Sequence, residues 1–552
     1  MLPNDSVLAY IRSQHTPMSV HHRRVTVSSL NGIVAAGHPL AAQAGARILR
    51  EGGNAFDAAV ATSAALNVVE PFMSGLAGMG CATCYSAREN KVLALDFVPA
   101  NPRLLTADSG FNRADLTSGA ASCGVPGNLA GWCSLVERFG TLALGRILQP
   151  AIDLAAGGFP LTSFAANEMV TQLPLLRSKG DEIFGAWESI YCPGGQLPRT
   201  GTVLRQPALS RTLEAIAVEG SRFLHGGALG RALVDCARRH GGALSMEDME
   251  AVRPQWLEPL CVRYRGFDIH VPPPPSEAFQ YLLTLRLLDA VDIRRFEYNG
   301  ADHLDSVLRA IRLAAGVRIA NNLPGHERLE FLLSEPGLAS LRERLVDGVP
   351  IDGPTEQFIA PAAAGPSQHT TSLSIADRQG NAVCITQSLG SVFGCGVVLP
   401  EYGVCLNNFL KWADSSPEGT NPLAPGGALA LPLAPSLALL DGAPALLLGS
   451  PGSYGIAQHQ TQIIVRWVDY GLGIQEAIEE PRARLTDGRS VLLEARFSEA
   501  VVRELERRGH AITPGATWTR MVGGAQGIEI DAGTCRMSGG ADPRRDGYVA
   551  SP

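Results

Sequence analysis

The sequence predicts a mixed α/β fold of the α+β kind, on three observations. In the first two-thirds of the 552-residue chain, apolar residues recur at the three- and four-residue spacing typical of helices. Beyond about residue 370 the pattern changes to strands joined by hairpin signals. With 45% hydrophobic and 18% charged residues, the chain can build a sizeable core.

The N-terminal part is expected to begin with a loose arm at residues 1–30 and to continue with two Ala-rich helices. The first helix follows His38 and stops at Gly52-Gly53, where a left-handed cap is easily accommodated. The second ends before Pro71. A glycine run, "SGLAGMG", and two strand-like segments, "CATCYS" and "KVLALDF", come next.

The middle of the chain is mostly helical, with helices expected at "GRILQPAIDLAAGG", "QPALSRTLEAIAVEG" and "EAFQYLLTLRLLDAV". Four prolines, residues 272–275, force an extended segment between the strand "FDIHV" and the last of these helices. Residues 346–369 lose periodicity and become rich in Pro, Gly and Ala. This stretch is the predicted linker.

Two hairpins are expected after the linker. "TTSLSIA" and "VCITQSL" flank a loop that contains Gly380, and "SLALL" and "ALLLGS" flank Asp441-Gly442. The second hairpin leads into "GSPGSYG", residues 449–455, which ends a strand and opens the helix "IAQHQTQIIVRWVDYG".

Composition excludes several classes of function. The net charge of −7 and the lack of long Lys/Arg runs argue against nucleic-acid binding. Strand alternation places Cys81 and Cys84 on opposite faces, which argues against a redox pair, and no histidine completes a metal site. With no signal peptide or membrane span recognised, a cytoplasmic protein without metal or cofactor is expected.

Thr370 stands where an N-terminal nucleophile would be useful. A threonine hydroxyl needs a base beside it, and cleavage of the preceding bond would free an α-amine with a pKa of about 7.7–8.0 to serve as that base. The linker supplies a disposable segment before Thr370, and a strand follows it. A threonine pair at a strand start is also explained by β-propensity alone, so both interpretations remain open at this point.

The turn "GSPGSYG" has a similar double interpretation. A strand that leaves into a Gly-containing turn before a helix points successive N–H groups at one place, which suits an oxyanion of acyl transfer. An ordinary strand-to-helix turn explains the same residues.

Together these features resemble the γ-glutamyltranspeptidases, a family of N-terminal-nucleophile hydrolases. The resemblance is carried by "HTTSLSIADRQGNAVCITQSLGSVFGCGVVLPEYGVCLNN", by the N-terminal "GIVAAGHPLAAQAGARILREGGNAFDAAVATSAALNVVEPFMSGLAG", and by "GVPGNLAGW", "WLEPLCVRYRGFDIHVPPPP", "GSPG" and "SGGADPRRDGY". It covers about residues 30–552 with the order of motifs intact.

The resemblance implies a four-layer αββα sandwich that cleaves itself between His369 and Thr370. Residues 31–369 would form the helix-rich large chain, one half of the sandwich, and residues 370–552 the small chain that carries the nucleophile. Thr370 would carry the acyl group, and Ser388 takes the place of a second family threonine that hydrogen-bonds the nucleophile. Gly452 and Ser453 match the paired glycines whose N–H groups form the oxyanion hole.

The resemblance fails where the family binds the charged ends of a γ-glutamyl group. Val98 replaces the carboxylate-binding arginine, and Leu431 and Pro432 replace a Ser pair. At the ammonium end Gly390 replaces an asparagine of the family, and Phe409 and Trp412, which follow Asn408 of "LNN", replace a polar residue and an Asp. Arg103 or Asp414 would have to substitute, and burying an unpaired carboxylate against apolar residues is costly. "SEAF", residues 276–279, also replaces family glycines, with an open effect.

The leading interpretation is therefore a self-processing amidohydrolase or acyltransferase that forms an acyl-Thr370 intermediate with a non-γ-glutamyl acyl group. Its partners would be a small-molecule amide and, within the enzyme, its own two cleavage products as a heterodimer. One alternative is a genuine γ-glutamyltransferase or glutathione hydrolase. Another is an uncleaved pseudoenzyme that acts as a binding protein.

Overall fold

Two seven-stranded β-sheets lie face to face in a computed structural model of the chain, and helices cover the outer face of each. The structure describes residues 24–105, 114–355, 369–414, 416 and 419–552. The layers form an αββα sandwich, so the predicted fold class is confirmed.

The strands are numbered in chain order. They are β1 (Val27–Ser29), β2 (Gly32–Ala36), β3 (Met79–Ser86), β4 (Lys91–Phe97), β5 (Phe159–Pro160), β6 (Val203–Leu204), β7 (Gln255–Leu257), β8 (Leu260–Tyr264), β9 (Phe267–Val271), β10 (Thr371–Asp377), β11 (Ala382–Ser388), β12 (Val398–Leu399), β13 (Val404–Cys405), β14 (Ser436–Leu440), β15 (Ala443–Gly449), β16 (Ala483–Leu485), β17 (Ser490–Leu493), β18 (Ala511–Pro514), β19 (Gln526–Asp531), β20 (Arg536–Ala541) and β21 (Tyr548–Ala550).

The α-helices are numbered in the same way. They are α1 (Pro39–Arg50), α2 (Ala55–Val69), α3 (Asn128–Phe139), α4 (Leu144–Gly157), α5 (Ser163–Thr171), α6 (Leu173–Arg177), α7 (Asp181–Tyr191), α8 (Pro207–Glu219), α9 (Ala228–Arg239), α10 (Met246–Glu250), α11 (Phe279–Leu288), α12 (Ala301–Ala320), α13 (His326–Leu333), α14 (Glu335–Val346), α15 (Ile456–Asp469), α16 (Ile474–Glu479) and α17 (Glu499–Arg507).

Both large sheets are antiparallel throughout. Sheet I has the order β21–β2–β10–β11–β3–β4–β7, and sheet II has the order β1–β20–β19–β15–β14–β9–β8. Alternation along β2 shows how the layers form: Ile33 and Ala35 face the other sheet, whereas Val34 and Ala36 face the helices. Each sheet is therefore buried on both faces.

The first two helices begin and end where the sequence predicts. The Asn54 side chain accepts hydrogen bonds from the N–H groups of Phe56 and Asp57, and the Asp57 carboxylate bonds back to the Asn54 N–H, which forms a capping box. All fifteen residues of α2 are buried, because the helix lies between sheet I and the surrounding helices. The helices expected in the middle of the chain are α4, α8 and α11.

Both predicted hairpins form. β10 pairs with β11 across residues 378–381, and β14 pairs with β15 across Asp441 and Gly442. These two residues have φ values of 50° and 82°, the left-handed pair of a type I′ turn. On β3, Cys81 and Cys84 are buried in different hydrophobic clusters, as strand alternation predicts.

The expected division of the sandwich is wrong in one respect. Residues 31–369 do not form one half of it, because each sheet combines strands from before and after residue 369. Antiparallel pairing of β10 with β2 and of β11 with β3 joins the two parts of the chain. Residues 1–23 of the predicted arm and residues 356–368 of the predicted linker lie outside the described residues. Within the arm's remainder, β1 pairs with β20 and is not loose.

Candidate active site

Thr370 lies immediately before β10, at the end of sheet I. Its side chain is buried, and its hydroxyl oxygen lies 2.5 Å from the carbonyl oxygen of His369 and 3.3 Å from Ser388 Oγ. Sheet pairing accounts for the second contact, because Thr371 of β10 is opposite Gln387 of β11, one residue before Ser388.

The Ser388 hydroxyl is fixed by two further hydrogen bonds. It donates to the carbonyl oxygen of His369 over 2.9 Å and accepts from the Gly390 N–H over 2.8 Å. The carbonyl of His369 belongs to the peptide bond that the sequence analysis expects to be cut. Two hydroxyl groups therefore surround the oxygen on which negative charge would develop.

The turn after β15 presents two backbone donors. Gly452 has φ 145° and Ser453 has φ 52°, so the turn places a serine in the region that favours glycine. In the described part of the chain, no acceptor bonds the N–H of either residue. Gly449, which precedes the turn, packs against Ser372 of β10, so the turn starts at the same end of the sandwich as Thr370.

The structure explains why Gly390 differs from the family's asparagine. Its φ is 99°, and a Cβ atom there would lie 2.3 Å from Asn408 Oδ1. Asn408 is held in place by the Ser391 N–H and by its own donation to Thr117 O. Asn408 is thus fully engaged in supporting this loop.

The other pocket residues predicted from the sequence contribute to one apolar cluster. Phe409, Trp412 and Leu431 are buried in it, and the partly buried Val98 packs against it. Pro432 is buried beside Ser453 at a small cavity. Phe409 and Trp412 also contact each other, with ring centres 5.4 Å apart.

The two residues considered as substitutes are engaged elsewhere. Arg103 is half-exposed and pairs with Glu247 and Asp248 of α10. Asp414 accepts the Ser416 N–H.

Lys411 is a candidate site residue that the sequence analysis missed. The side chain is largely buried, and Nζ donates to Gly390 O and to Ser391 Oγ, each over 3.0 Å. Burial lowers the pKa of His369 well below its usual value, and the positive charge of Lys411 lowers it further. The signal in the sequence was a lysine among apolar residues, in "NNFLKW".

A second missed group lies behind the nucleophile. The Thr371 hydroxyl donates to Glu70 Oε2 over 2.9 Å, and Arg545 Nη1 donates to Thr370 O over 3.2 Å. Burial raises the pKa of Glu70 to about 7, opposed by the bond from Thr371. Burial also lowers the pKa of Arg545 to about 10. Both residues stand in quoted family motifs, "NVVEP" and "DPRRDGY", but their contacts join residues 301 and 175 positions apart.

An αββα sandwich with a threonine at the start of a central strand defines the class of N-terminal-nucleophile hydrolases. The comparisons with known proteins agree with this class. The sequence profile described as Gamma-glutamyltranspeptidase matches residues 41–551. The chain belongs to the γ-glutamyltranspeptidase family.

Relatives within the family include acylases and glutathione hydrolases. The chain is 34% identical to the Acylase ACY 1 proenzyme of Pseudomonas sp. (strain SE83), over 94% of this chain and 93% of that one. It is 28% identical to the Glutathione hydrolase proenzyme of Bacillus subtilis (strain 168), over 99% and 96%. The crystal structure of cephalosporin acylase from Bacillus halodurans superposes with a TM-score of 0.86 at 29% identity, over 98% and 99%. These relatives support a self-processing amidohydrolase.

No helix among the described residues combines the length and the apolar character needed to cross a membrane.

Proposed function

We propose that the protein cleaves itself between His369 and Thr370 and then hydrolyses a small-molecule amide through an acyl-Thr370 intermediate. The observation that carries the proposal is the position of the His369 carbonyl, which lies against the hydroxyl groups of both Thr370 and Ser388. A hydroxyl placed at its own preceding carbonyl is the geometry that an intramolecular acyl shift requires.

In self-cleavage, Thr370 Oγ1 attacks the carbonyl carbon of His369 and loses its proton. Ser388 donates to the oxygen as it becomes negative. The C–N bond breaks and the nitrogen takes up a proton, which leaves an ester between His369 and the threonine oxygen. Water hydrolyses the ester to a carboxylate on His369 and a free α-amine on Thr370.

In the mature enzyme, that α-amine takes the proton of the Thr370 hydroxyl as it attacks the substrate amide, and returns a proton to the leaving amine. The N–H groups of Gly452 and Ser453 would stabilise the oxyanion. Water then releases the acid and restores the free threonine; an amine acceptor in place of water would give transfer.

The acyl group is proposed to be other than γ-glutamyl. A γ-glutamyl group carries an α-ammonium, which the buried Lys411 would repel, and an α-carboxylate, which Val98 and Leu431 cannot pair. An acyl group with a less polar body fits the apolar cluster better. Because the relatives include a glutathione hydrolase, hydrolysis of γ-glutamyl amides is the second candidate activity of this protein.

Self-cleavage is tested by denaturing electrophoresis and intact mass of the purified protein. We expect two chains, residues 1–369 and 370–552, for the wild type and one full-length chain for Thr370→Ala, because the alanine lacks the attacking oxygen. Thr370→Ser, which keeps a hydroxyl, is the matched control and should still cleave. A wild type that stays at full length after long incubation would refute the mechanism and favour the pseudoenzyme.

The acyl group is tested with 4-nitroanilides. A cleaved wild type that hydrolyses neutral acyl anilides but not the γ-glutamyl anilide supports the proposal. Efficient γ-glutamyl hydrolysis establishes the second candidate instead.

A further inference from the structure

A small cavity lies beside Ser453, the residue proposed to contribute to the oxyanion hole. Pro432 and Tyr454 form part of its wall, and Glu277 and Gln280 at the start of α11 form another part. Its volume of about 10 Å³ is room for one water-sized group. The cavity is therefore suited to the end of a ligand, not to a whole molecule.

Two buried polar atoms at this cavity have no hydrogen-bond partner in the described part of the chain: Glu277 Oε2 and Gln280 Nε2. Their side chains are at least nine-tenths buried, with 5% and 2% of the two residues exposed. Leaving a buried polar atom without a partner is costly, so two of them on residues that line one cavity indicate a place where a ligand supplies the missing bonds.

Arg318 determines which side-chain atoms of Glu277 and Gln280 remain without a hydrogen-bond partner. Its Nη1 donates to Glu277 Oε1 over 2.6 Å, and its Nε donates to Gln280 Oε1 over 2.7 Å. Because a guanidinium only donates, the Gln280 oxygen must face Arg318 and its NH₂ group must face away. Two residues that line the cavity thus keep one unpaired acceptor, on Glu277, and one unpaired donor, on Gln280.

Arg318 is itself rigidly held. It lies 4.3 Å from the ring centre of Tyr454, and Nη2 donates to Thr355 O over 2.9 Å. Its charge is balanced by Glu277, so the cavity has no excess charge to attract an ion.

Two segments that depart from the family pattern, residues 276–279 and 431–432, contribute to the wall of the cavity. Within "SEAF", the Glu277 N–H donates to Leu431 O over 2.9 Å, and Ser276 Oγ donates to Leu433 O over 2.5 Å. These bonds fix the start of α11 against the segment that carries Leu431 and Pro432. The serine pair and the glycines of the family have thus been replaced by one connected structure.

We propose that this cavity is a subsite for the far end of the acyl group and that it selects a neutral, water-sized end that both donates and accepts hydrogen bonds, a hydroxyl. This inference rests on the amidohydrolase function proposed above. A methyl end would leave both buried atoms unpaired, and a charged end would lose its hydration without a counter-charge. Sites that hydrogen-bond a substrate group discriminate strongly against analogues that lack it.

The test is a series of 4-nitroanilides with acyl chains of three to six carbons, each ended by a methyl, a hydroxyl or a carboxamide. For the chain length that fits best, the wild type should prefer the hydroxyl end over the methyl end by about tenfold in kcat/KM, the factor that one hydrogen bond of ordinary strength supplies, whereas the larger carboxamide end should gain less. Glu277→Gln replaces the free acceptor by a donor, so the hydroxyl end loses the partner of its proton and this ratio should fall several-fold.

Glu335→Gln is the matched control. It makes the same substitution in another Glu–Arg pair, between α14 and Arg286 of α11, away from the cavity, and should leave the ratio unchanged. The ratio separates selectivity from a general loss of activity, and if Glu277→Gln does not fold, the wild-type series alone decides.

Equal rates for all three ends, with an ordered water as the only occupant of the cavity, would overturn the subsite and leave the amidohydrolase function intact. A self-cleaved wild type that hydrolyses no member of the series would also overturn it. A wild type that never cleaves itself would instead refute the underlying function.

Discussion

Glu70 is a buried acid that contacts the residue next to the proposed nucleophile. Its pKa is about 7 in the folded protein, because burial disfavours the carboxylate, while Asp546 and Glu168 raise the pKa and Arg545 lowers it. The unfolded chain releases the same proton near the ordinary value of 4.5. Between these two values the folded state binds more protons, so the free energy of unfolding falls as pH rises from about 4.5 to 7.

Glu70→Gln should abolish this fall. In the Thr370→Ala background, which keeps one chain, the glutamine variant should match its parent at pH 4 to 4.5 and exceed it by up to about 3 kcal/mol at pH 8, since one pKa unit corresponds to ~1.4 kcal/mol. Denaturant unfolding at the two pH values measures the difference. A shift of the same size at both would contradict the assigned pKa.

Gly390 tests whether the γ-glutamyl pocket can be restored by one substitution. Gly390→Asn puts a side chain at φ 99° and drives its Cβ into Asn408 Oδ1, so we expect little soluble, self-cleaved protein. Gly380→Asn is the control: its φ of 87° is equally left-handed, but the nearest atom to the added Cβ would be 3.6 Å away. Electrophoresis of both variants measures the yield, and equal yields would show that Asn408 gives way.

For individual residues, the sequence predicts which ones belong to the candidate site better than it predicts their contacts. Thr370 and the turn at Gly452 could be selected because each stands in a local pattern, and Ser388 could be selected only through the family resemblance. Glu70 and Lys411 could not, because a single glutamate or lysine in an apolar stretch acquires meaning only from a partner distant in the chain. The contact of Glu70 with Thr371 joins residues 301 positions apart.

Among the elements, the turn between β15 and α15 carries a testable strain. Ser453 has φ 52°, which costs a residue other than glycine about 1–3 kcal/mol. Ser453→Gly should keep full activity, because the proposed donor is the backbone N–H, and should leave stability equal or up to about 1 kcal/mol higher.

Ser453→Val is the contrasting variant, because a branched side chain is poorly tolerated at positive φ. Its stability should fall below that of the wild type, with kcat lowered as the turn shifts. Calorimetry and anilide hydrolysis compare the three proteins. Loss of activity in the glycine variant would assign a role to the serine hydroxyl.

Elements with strong local signals were predictable from the sequence. The helix stop at Gly52-Gly53 and the turn at Asp441-Gly442 are encoded in a few neighbouring residues, and the helices and hairpins around them form as expected. The pairing of β10 with β2 and of β11 with β3 has no local signal, because antiparallel partners about 300 or more residues apart are selected by packing of the whole core.

For the whole molecule, the two sheets join residues from both sides of the proposed cleavage bond. We therefore expect the two products to stay together as one particle of about the full 58.3 kDa, or a multiple of it, in gel filtration without denaturant. Thr370→Ala, which stays one chain, provides the size standard. Separate elution of the two chains would contradict a shared sandwich.

Because the two chains share both sheets, cleavage of the bond also changes how the stability of the protein depends on its concentration. In the uncut chain, unfolding is unimolecular and its midpoint does not depend on protein concentration. After cleavage, the same hydrogen-bonded strands hold two molecules together, so unfolding also dissociates them and becomes subject to mass action. Dilution would then lower the stability of the mature enzyme but not that of its precursor. The covalent link at residue 369 would assist folding, and after cleavage the paired strands alone would hold the two chains together.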